Sequence, residues 1–490
     1  MKKERLSIVM TAAECAPFAK AGGLGDVLGS LPQTIATQGV RVSVILPNYN
    51  FIGRQFKLKA LKYQIKFEHD GAIDQCGLYY ARLKGNPVDY YFIDHPLLSG
   101  DTIYRHSWRI QKNGGKAYSR STTDIIRFSL FSKTVVEAIH QAAIPCDIIH
   151  CHDWHTALIP VFTDQLAVTK SYRYTKTIFT IHNLANQGIA YRDYIKSLGL
   201  RPDETPSLME DYYDLDHQQL NCTKLGVLSA DVVTTVSPTY AKQILTKEYG
   251  AGLESYLLRR KRDIHGVING IDTALDPRTD PSITNYSIDN FQKGKSINKK
   301  SLQRFLGLRV MELPLYGAVS RLVAQKGFDI LVSALRIFLK KEVQVVVLGS
   351  GDSAIEKKLA AFARQHPRTM AVRIGFDAHL AQRIYAAADF FLMPSRYEPC
   401  GLGQLIAMKY GAVPIVRATG GLTDTVHAGK TGMVFREYSS RALLKTLYGS
   451  SALYGKKKSW YTMVSRCMRQ EFSWQKSART YVKLYQKLLR

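Results

Sequence analysis

The sequence has little of three features that each mark a special class of protein. Its 490 residues include only seven cysteines, scattered without a Cys-x-x-Cys pair, so neither a disulfide framework nor a structural zinc site is indicated. No apolar stretch approaches the ~18 residues that a membrane-spanning helix needs. Acidic residues are scarce, 40 against 67 lysines and arginines, which gives a formal net charge of +27.

This basic excess raises the alternative of a nucleic-acid-binding protein. The densest clusters are residues 259–262 and 456–458. Neither alternates with aromatic residues as an RNA-binding platform does, and no zinc-finger or RNP-type motif is present. Nucleic-acid binding therefore rests on charge alone, and we expect neither a nucleic-acid partner nor a membrane partner. A solvated basic surface that favours polyanionic substrates explains the charge more simply.

Length and composition indicate a globular protein of two domains, because single cores stop growing at roughly 250–300 residues. Hydrophobic residues make up 46% of the chain and charged residues 22%, so ample apolar surface is available for burial. A basic start followed by apolar residues 6–10 has some features of a signal peptide, but Glu14 follows at once. We interpret residues 6–10 as a buried strand and expect a cytoplasmic protein.

Short β-branched runs recur along the chain, and each is followed by a stretch long enough for a helix. One series lies at residues 6–10, 40–46, 147–150, 176–181 and 231–236, and another at residues 315–319, 343–348, 371–374, 390–393 and 413–416. Continuous apolar strands separated by helical lengths predict parallel sheets covered on both faces. Two series predict two doubly wound α/β domains.

A turn-rich stretch separates the two series. It runs from Asn269-Gly-Ile-Asp272 through two Asp-Pro pairs, which is typical of a linker. We therefore predict an N-terminal domain over residues 1–268 and a C-terminal domain over residues 269–471. Apolar residues at helical spacing, from Trp474 to Leu489, predict an amphipathic helix within residues 472–490. Ligands of such domains bind at the carboxyl ends of the strands.

A lysine and a glycine-rich loop, Lys20-Ala-Gly-Gly-Leu-Gly-Asp26, follow the first predicted strand. Glycines let backbone amides approach an anion closely, and a helix that begins near Asp26 or Val27 would direct its positive end there. Most strand-to-helix turns contain glycine only in order to turn, so this motif alone leaves a phosphate site and a plain turn as equal alternatives.

Polar clusters follow two later strands of the same domain. Residues 150–155 read His-Cys-His-Asp-Trp-His, but alternate side chains of a strand face opposite ways, which disfavours a metal site. Asp153 and Trp154 suit recognition of a sugar instead. The next strand ends in His182 and Asn183. A lone histidine there is usually structural, but parallel strands end at one edge, so Asp153 and His182 are predicted to lie together.

The second domain carries cations and glycines at its strand ends. Arg321 and Lys326 follow its first strand and are typical of a diphosphate clamp, although a solvated loop stays an alternative. Residues 393–404 follow another strand and combine Glu398 with glycines that open a helix predicted over residues 404–410. Residues 419–424, Thr-Gly-Gly-Leu-Thr-Asp, repeat this arrangement one strand later.

Taken in order, these motifs resemble those of the bacterial glycogen synthase and plant starch synthase family. The resemblance extends from Lys20 to Tyr485 and is carried by K-x-G-G-L, H-D-W-H, H-N-L-A-x-Q-G, N-G-I-D, S-R-L-x-x-Q-K-G, S-R-x-E-P-C-G-L-x-Q, T-G-G-L-x-D-T-V and F-S-W-x-x-S-A. It implies a GT-B fold, an α/β architecture of two Rossmann-like doubly wound domains that face each other across a deep cleft. The last helix would cross back to the N-terminal domain.

The resemblance also implies an activity. Glucose would pass from ADP-glucose to the non-reducing end of glycogen or another α-1,4-glucan, with retention of the α-anomer and without a cofactor or metal. The catalytic residues implied are Lys20, His182, Arg321, Lys326 and Glu398. The substrate-binding residues implied are Gly22, Gly23, Asp26, Asp153, Asn183, Asn269, Phe376, Cys400, Gly401, Gly403, Thr419 and Gly420. The oligomeric state stays open.

Three positions depart from the family pattern. Gly403 stands where many relatives have threonine, Phe376 stands where the family has a base-stacking tyrosine, and the tryptophan after N-G-I-D is missing, with Leu275 nearby. The choice of nucleobase is therefore the least secure expectation. Other GT-B enzymes, with a UDP-glucose donor or a small acceptor, and an inactive glucan-binding protein stay as alternatives, although Lys20, His182 and Glu398 are all present.

Overall fold

The computed structural model describes residues 5–69, 71–104, 122–191, 199–201 and 219–490, and its internal contacts divide the chain into two compact units. The first unit comprises Met1–Val236, Ala241–Val267 and Trp474–Arg490, and the second comprises Ser237–Tyr240 and Ile268–Ser473. By its contacts, the end of the chain therefore belongs with the first unit. Within the described ranges, no helix is long and apolar enough to cross a bilayer.

Helices alternate with strands over much of both units. In chain order they are α1 (Gly23–Ala36), α2 (Asn50–Gln55), α3 (Thr122–Gln141), α4 (Ile159–Thr169), α5 (Cys222–Ser229), α6 (Pro238–Gln243), α7 (Glu254–Arg259), α8 (Phe291–Leu306), α9 (Phe328–Phe338), α10 (Ser353–Gln365), α11 (Ala378–Ala387), α12 (Gly403–Lys409), α13 (Gly420–Thr425), α14 (Ser440–Gly455), α15 (Lys457–Met468) and α16 (Trp474–Leu488).

The first unit contains a nine-stranded sheet and a separate strand pair. The strands are β1 (Ser7–Thr11), β2 (Arg41–Pro47), β3 (Lys59–His69), β4 (Ala72–Ala81), β5 (Asp89–Asp94), β6 (Ile148–His152), β7 (Lys176–Ile181), β8 (Ile189–Tyr191), β9 (Gln219–Asn221), β10 (Val232–Thr235) and β11 (Ile264–Gly266). The large sheet has the order β11-β10-β7-β6-β1-β2-β5-β4-β3. Its pairs are parallel except at β3 and β4, which form an antiparallel edge that the sequence analysis did not predict.

The second unit contains a six-stranded sheet whose strands all pair in parallel. They are β12 (Leu315–Val319), β13 (Gln344–Gly349), β14 (Met370–Ile374), β15 (Phe390–Met393), β16 (Val413–Arg417) and β17 (Met433–Phe435), in the order β14-β13-β12-β15-β16-β17. All ten strands predicted from apolar runs are present within one or two residues, so the prediction of two parallel α/β sheets is confirmed.

In each sheet there is a position from which the chain adds parallel strands first on one side and later on the other. In the first unit β1 leads to β2 on one side, whereas β6 leads to β7, β10 and β11 on the other. In the second unit β12 leads to β13 and β14, whereas β15 leads to β16 and β17. Loops that follow the strands flanking such a point diverge and leave a crevice, which is where α/β proteins bind ligands. The loops concerned follow β1, β6, β12 and β15.

The stretch predicted as a linker is folded into the second unit. Asp276 and Asp280 are 6% and 0% exposed. Asp276 accepts hydrogen bonds from the Arg278 guanidinium, and Asp280 Oδ2 accepts one at 2.6 Å from the Tyr410 hydroxyl. The Asp-Pro pairs were predicted as turns of a linker, and in the structure the aspartates anchor this stretch because each finds a buried or charged donor.

The amphipathic helix predicted at the end of the chain is confirmed as α16. Its apolar side, which includes Trp474, Tyr481 and Tyr485, is buried in contact with the first unit, where α16 packs against α1. Leu489 was predicted on that side but is 44% exposed, because the helix ends at Leu488. Tyr485 also donates or accepts a hydrogen bond of 2.8 Å with His150 Nδ1 on β6.

We predict that Tyr485→Ala destabilises the first unit by about 3–5 kcal/mol, because it removes a fully buried aromatic side chain. Tyr485→Phe should cost only about 1 kcal/mol, since it removes one hydrogen bond and keeps the packing. Urea unfolding followed by circular dichroism measures both. The control is Leu489→Ala, which should change stability by less than about 0.5 kcal/mol. Equal effects of Tyr485→Ala and Leu489→Ala would contradict the assigned packing.

Candidate active site

The lysine loop of the first unit lies between β1 and α1. The helix begins at Gly23 rather than at the predicted Asp26, because Gly22 adopts an extended conformation and serves as the N-cap without a side-chain bond. Asp26 consequently lies in the first turn. Its Oδ1 is 2.6 Å from Lys20 Nζ, and both side chains are about half exposed. The two residues predicted to face the donor thus form one ion pair at the helix N-terminus.

Glu14 holds this loop in place, and the sequence analysis missed it. The side chain is 3% exposed, and its Oε2 accepts hydrogen bonds from the backbone amides of Ala21 and Gly22, each at 2.7 Å. Its Oε1 accepts one from the Tyr104 hydroxyl at 2.5 Å. In this structure the Gly22 amide, predicted to bind an anion, therefore binds the protein's own carboxylate. A charged residue within a buried run needs partners, and that signal was available in the sequence.

Asp153 follows β6 and joins it to the end of β7, as predicted. Its backbone has the unusual φ of 59°, and its Oδ1 accepts hydrogen bonds from the amides of His182 at 2.7 Å and Asn183 at 3.4 Å. Burial raises the pKa of Asp153 to about 7. Asn183 in turn accepts a hydrogen bond from the Ala185 amide through Oδ1. Asp153, whose backbone has a positive φ, thus fixes through its carboxylate the turn that carries His182.

His182 is joined to a second histidine that the sequence analysis did not assign to the site. Its Nε2 lies 3.0 Å from Nδ1 of His152, the last residue of β6. Burial lowers the pKa of His182 and of His150 to about 3 and holds that of His152 well below its usual value, so all three rings are neutral at neutral pH. Across the described ranges, no group of three or more potential ligand side chains is arranged to hold a metal ion.

The predicted cation and carboxylate of the second unit form a single ion pair. Lys326 Nζ lies 2.7 and 2.9 Å from the two carboxylate oxygens of Glu398, which is 4% exposed. The Ser395 hydroxyl donates to Glu398 at 3.0 Å. Arg321 is exposed at the other end of the same loop, where its guanidinium donates to Gln325 at 3.2 Å. Arg321 is therefore the more available of the two cations.

Glycines shape the backbone around Glu398. Gly401 has φ 76° and precedes α12, which begins at Gly403, one residue before the predicted start. Gly420 has φ 46°, and a Cβ there would come within 1.9 Å of the Glu398 carbonyl oxygen. The Gly421 amide donates to that carbonyl at 3.1 Å. Gly420 therefore serves the close packing of α13 beneath the Glu398 loop.

The other predicted residues of the second unit differ in exposure. Thr419 is fully buried, so its hydroxyl lies beneath the loop rather than on its surface. Asn269 and Cys400 are buried and adjacent, and the Asn269 backbone hydrogen-bonds the Cys400 thiol. Phe376 follows β14 and is 87% exposed, which is unusual for a large aromatic residue. The structure thus places Phe376 apart from the Glu398 cluster, at the sheet edge formed by β14.

Two family models match this chain in succession. Residues 7–259 match the starch synthase catalytic domain, and residues 300–448 match the glycosyl transferases group 1 model. Glycogen synthases from Pseudothermotoga lettingae and Geotalea daltonii are 38% and 39% identical to it, each over 99% of both chains. The chain belongs to the glycogen and starch synthase family.

Two solved structures share the fold of this chain. The catalytic domain of starch synthase IV from Arabidopsis thaliana, bound to ADP and acarbose, superimposes with a TM-score of 0.88 at 33% identity, covering 99% of this chain and 100% of the other. Sucrose-phosphate synthase from Thermosynechococcus elongatus gives a TM-score of 0.60 at 17% identity, a likeness of fold alone. The two-domain α/β architecture of GT-B type is therefore confirmed.

We predict that Glu14→Ala destabilises the lysine loop, because two amides and the Tyr104 hydroxyl lose a charged acceptor. Hydrogen bonds to charged groups contribute about 1.5–3 kcal/mol each, so the loss should reach about 3 kcal/mol. Glu14→Gln keeps an acceptor oxygen and should lose about 1 kcal/mol. Hydrogen exchange at Ala21 and Gly22, with chemical unfolding, measures both effects.

The control for Glu14 is Asp26→Asn, which removes an exposed ion pair from the same loop. It should cost less than about 1 kcal/mol and leave the exchange of both amides unchanged. Unchanged amide protection in Glu14→Ala would contradict the role assigned to Glu14.

Proposed function

We propose that this protein is a glycogen synthase, which transfers glucose from ADP-glucose to the non-reducing end of an α-1,4-glucan and retains the α-anomer. Its full-length similarity to curated glycogen synthases supports the activity, and the ADP bound to the related starch synthase supports the donor. We further propose glycogen or a similar glucan as the acceptor and the cytoplasm as the compartment. Seven free cysteines are consistent with a reducing compartment.

The observation that carries this proposal is the order of three recognition elements along the carboxyl edge of one sheet. Phe376 follows β14, Arg321 and Lys326 follow β12, and Glu398 follows β15. Neighbouring strands lie ~4.8 Å apart, so β14 and β12 are separated by about 10 Å and β12 and β15 by about 5 Å. A nucleotide sugar presents base, diphosphate and hexose in the same order.

Each element suits one part of that donor. The exposed ring of Phe376 offers a stacking surface to a base. Arg321 provides planar guanidinium donors and Lys326 a compact charge for the diphosphate. Glu398, with the amides near Cys400 and Gly401, suits the sugar hydroxyls. We therefore propose that the second unit binds the nucleotide sugar.

For the first unit we propose contacts with sugar and phosphate. Lys20 and the amides at the start of α1 combine a cation with a helix N-terminus, which is a favourable environment for anions. His182 and Asn183 lie on the turn that Asp153 fixes, where a parallel sheet binds its ligands. Lys20 and His182 are the residues of this unit to which we assign catalytic roles.

The chemistry requires stabilisation of charge on the leaving group. The bond between the anomeric carbon and the diphosphate oxygen breaks, a bond to the acceptor 4-hydroxyl oxygen forms on the same face, and the hydroxyl proton passes to the departing diphosphate. Negative charge on the diphosphate grows as the bond breaks, so cations such as Arg321 and Lys326 stabilise the transition state more than the ground state. No pair of carboxylates in the arrangement of a retaining glycosidase is required.

We predict that ADP-glucose is used in preference to UDP-glucose. Adenine offers a larger stacking surface to Phe376 than uracil does, whereas Phe376 lacks the phenol that would hydrogen-bond either base. Radiolabelled transfer to glycogen from each donor tests this choice. Equal or better use of UDP-glucose would favour the alternative of another GT-B enzyme, and no transfer from either donor would favour an inactive glucan-binding protein.

A second pair of variants tests the Lys326–Glu398 ion pair. Lys326→Ala should lower kcat about a hundredfold, ~2.7 kcal/mol, with a smaller effect on donor KM, because one preorganised cation is lost. Glu398→Gln should also lower kcat, yet bind ADP severalfold more tightly, since the Lys326 ammonium is released from its carboxylate. Steady-state kinetics and ADP calorimetry measure these effects.

The control is Lys358→Ala, on the exposed side of α10, which should change neither quantity. A Lys326→Ala enzyme with normal kcat would refute the clamp. Weaker ADP binding by Glu398→Gln would show that the ion pair does not restrain Lys326.

A further inference from the structure

Three histidines, His150, His152 and His182, lie at the ends of β6 and β7, and His150 is the one whose two ring nitrogens both have partners. His150 Nδ1 lies 2.8 Å from the Tyr485 hydroxyl, and His150 Nε2 lies 2.6 Å from the Thr180 hydroxyl. Both nitrogens of His150 are thus hydrogen-bonded. Its ring contacts the His152 ring with centroids 4.2 Å apart, so it offers His152 packing and no hydrogen bond.

His152 has one hydrogen-bonded nitrogen and one without a partner. Nδ1 lies 3.0 Å from His182 Nε2, whereas Nε2 is buried and meets no partner in the described part of the chain. Because His152 is fully buried, a proton on Nε2 would be an unsatisfied buried N–H group. Buried N–H groups without a partner are rarer in proteins than under-used acceptors. The proton of neutral His152 therefore belongs on Nδ1.

The position of that proton determines the state of His182. If His152 Nδ1–H donates, His182 Nε2 must accept and cannot carry a proton itself. The proton of neutral His182 then lies on Nδ1. That nitrogen makes no hydrogen bond within the described ranges, and it is not one of the buried side-chain atoms that lack a partner there, so it is at least partly accessible. His182 consequently presents an N–H donor, and not an acceptor, to any molecule bound beside it.

We propose that His152 is a positioning residue, which holds His182 in the Nδ1–H tautomer and thereby makes it a hydrogen-bond donor to a sugar oxygen. The hydrogen bond made by one ring nitrogen of a functional histidine commonly fixes which nitrogen carries the proton. The sugar as recipient rests on the proposed function, whereas the tautomer rests on the two histidines alone. In the reverse arrangement, His182 Nε2–H would donate to His152 Nδ1, and the proton of His152 would lie on the buried Nε2 without a partner. His182 Nδ1 would then be an acceptor, and a sugar hydroxyl could bind it only by donating.

Nitrogen NMR on the full chain tests the tautomer without reference to activity. Two-bond proton–nitrogen correlation on protein labelled with ¹⁵N-histidine should show His182 protonated at Nδ1 and unprotonated at Nε2, with the same pattern for His152. Spectra of His182→Gln and His152→Asn assign the signals. A His182 ring protonated at Nε2, or at both nitrogens, at neutral pH would overturn the proposal.

Kinetics of two matched variants test the consequence. His152→Asn keeps an N–H donor near the position of Nδ1, whereas His152→Leu has a similar size and no donor. His152→Leu should lower kcat at least tenfold, change donor KM less than threefold and lose the Nδ1–H signal of His182. His152→Asn should keep kcat within threefold of the wild type. Equal impairment by both variants, or by neither, would overturn the positioning role.

Two further measurements separate this role from a structural one. Thermal unfolding should give similar stabilities for the Asn and Leu variants, and His140→Leu, on α3, should leave kcat unchanged. An Nδ1–H tautomer in a protein that transfers no glucose would refute the proposed function and leave the tautomer assignment intact. Transfer activity together with an Nε2–H tautomer of His182 would refute the tautomer assignment and leave the proposed function intact.

Discussion

The constraint on which this molecule depends is the geometry of a parallel sheet. Parallel strands require long crossover connections, so all functional loops must emerge at one edge, and at the reversal point of the strand order those loops diverge. In the first unit the reversal lies between β1 and β6, and in the second between β12 and β15. Lys20, Asp153, Arg321 and Glu398 follow those four strands. The position of these four loops is thus a property of the strand order before any side chain is considered.

The two ion pairs at these loops differ in how firmly they are held. Lys20 and Asp26 are each about half exposed, and pairs of that kind contribute 0–1 kcal/mol. Little free energy therefore holds Lys20 to Asp26. Glu398 is buried and also accepts a hydrogen bond from Ser395, so removing its partner would leave an uncompensated charge. Lys326 is consequently held near Glu398, and the diphosphate contact that we propose for it would be made from a fixed position.

The strands and the charged loops that follow them could be predicted from the sequence, because apolar runs and glycine-rich turns are local signals. Sequence reasoning missed the role of Glu14, because a charged residue beside a buried run shows that partners are needed, whereas only the folded loop shows that they are the amides of Ala21 and Gly22. It assigned Thr419 to substrate binding but could not show that this side chain is fully buried, because that depends on the packing of α13. It weighed the histidines as metal ligands and disfavoured that alternative, but it did not identify the partner of His152, His182, which follows the next strand. Such contacts between strands cannot be read from spacing along one strand.

Charge and hydrogen bonding are divided between different residues of the first unit. Lys20 supplies permanent charge, whereas burial lowers the pKa of His150 and His182 to about 3 and keeps both rings neutral. This neutrality has a cost in acid, because an unfolded histidine has a pKa near 6.5. Between pH 6.5 and 3 the unfolded chain binds more protons than the folded one, so stability is lost as the pH falls through that window. The proposed role of His182 as a hydrogen-bond donor requires a neutral ring. The stability of the first unit depends on the same neutral state.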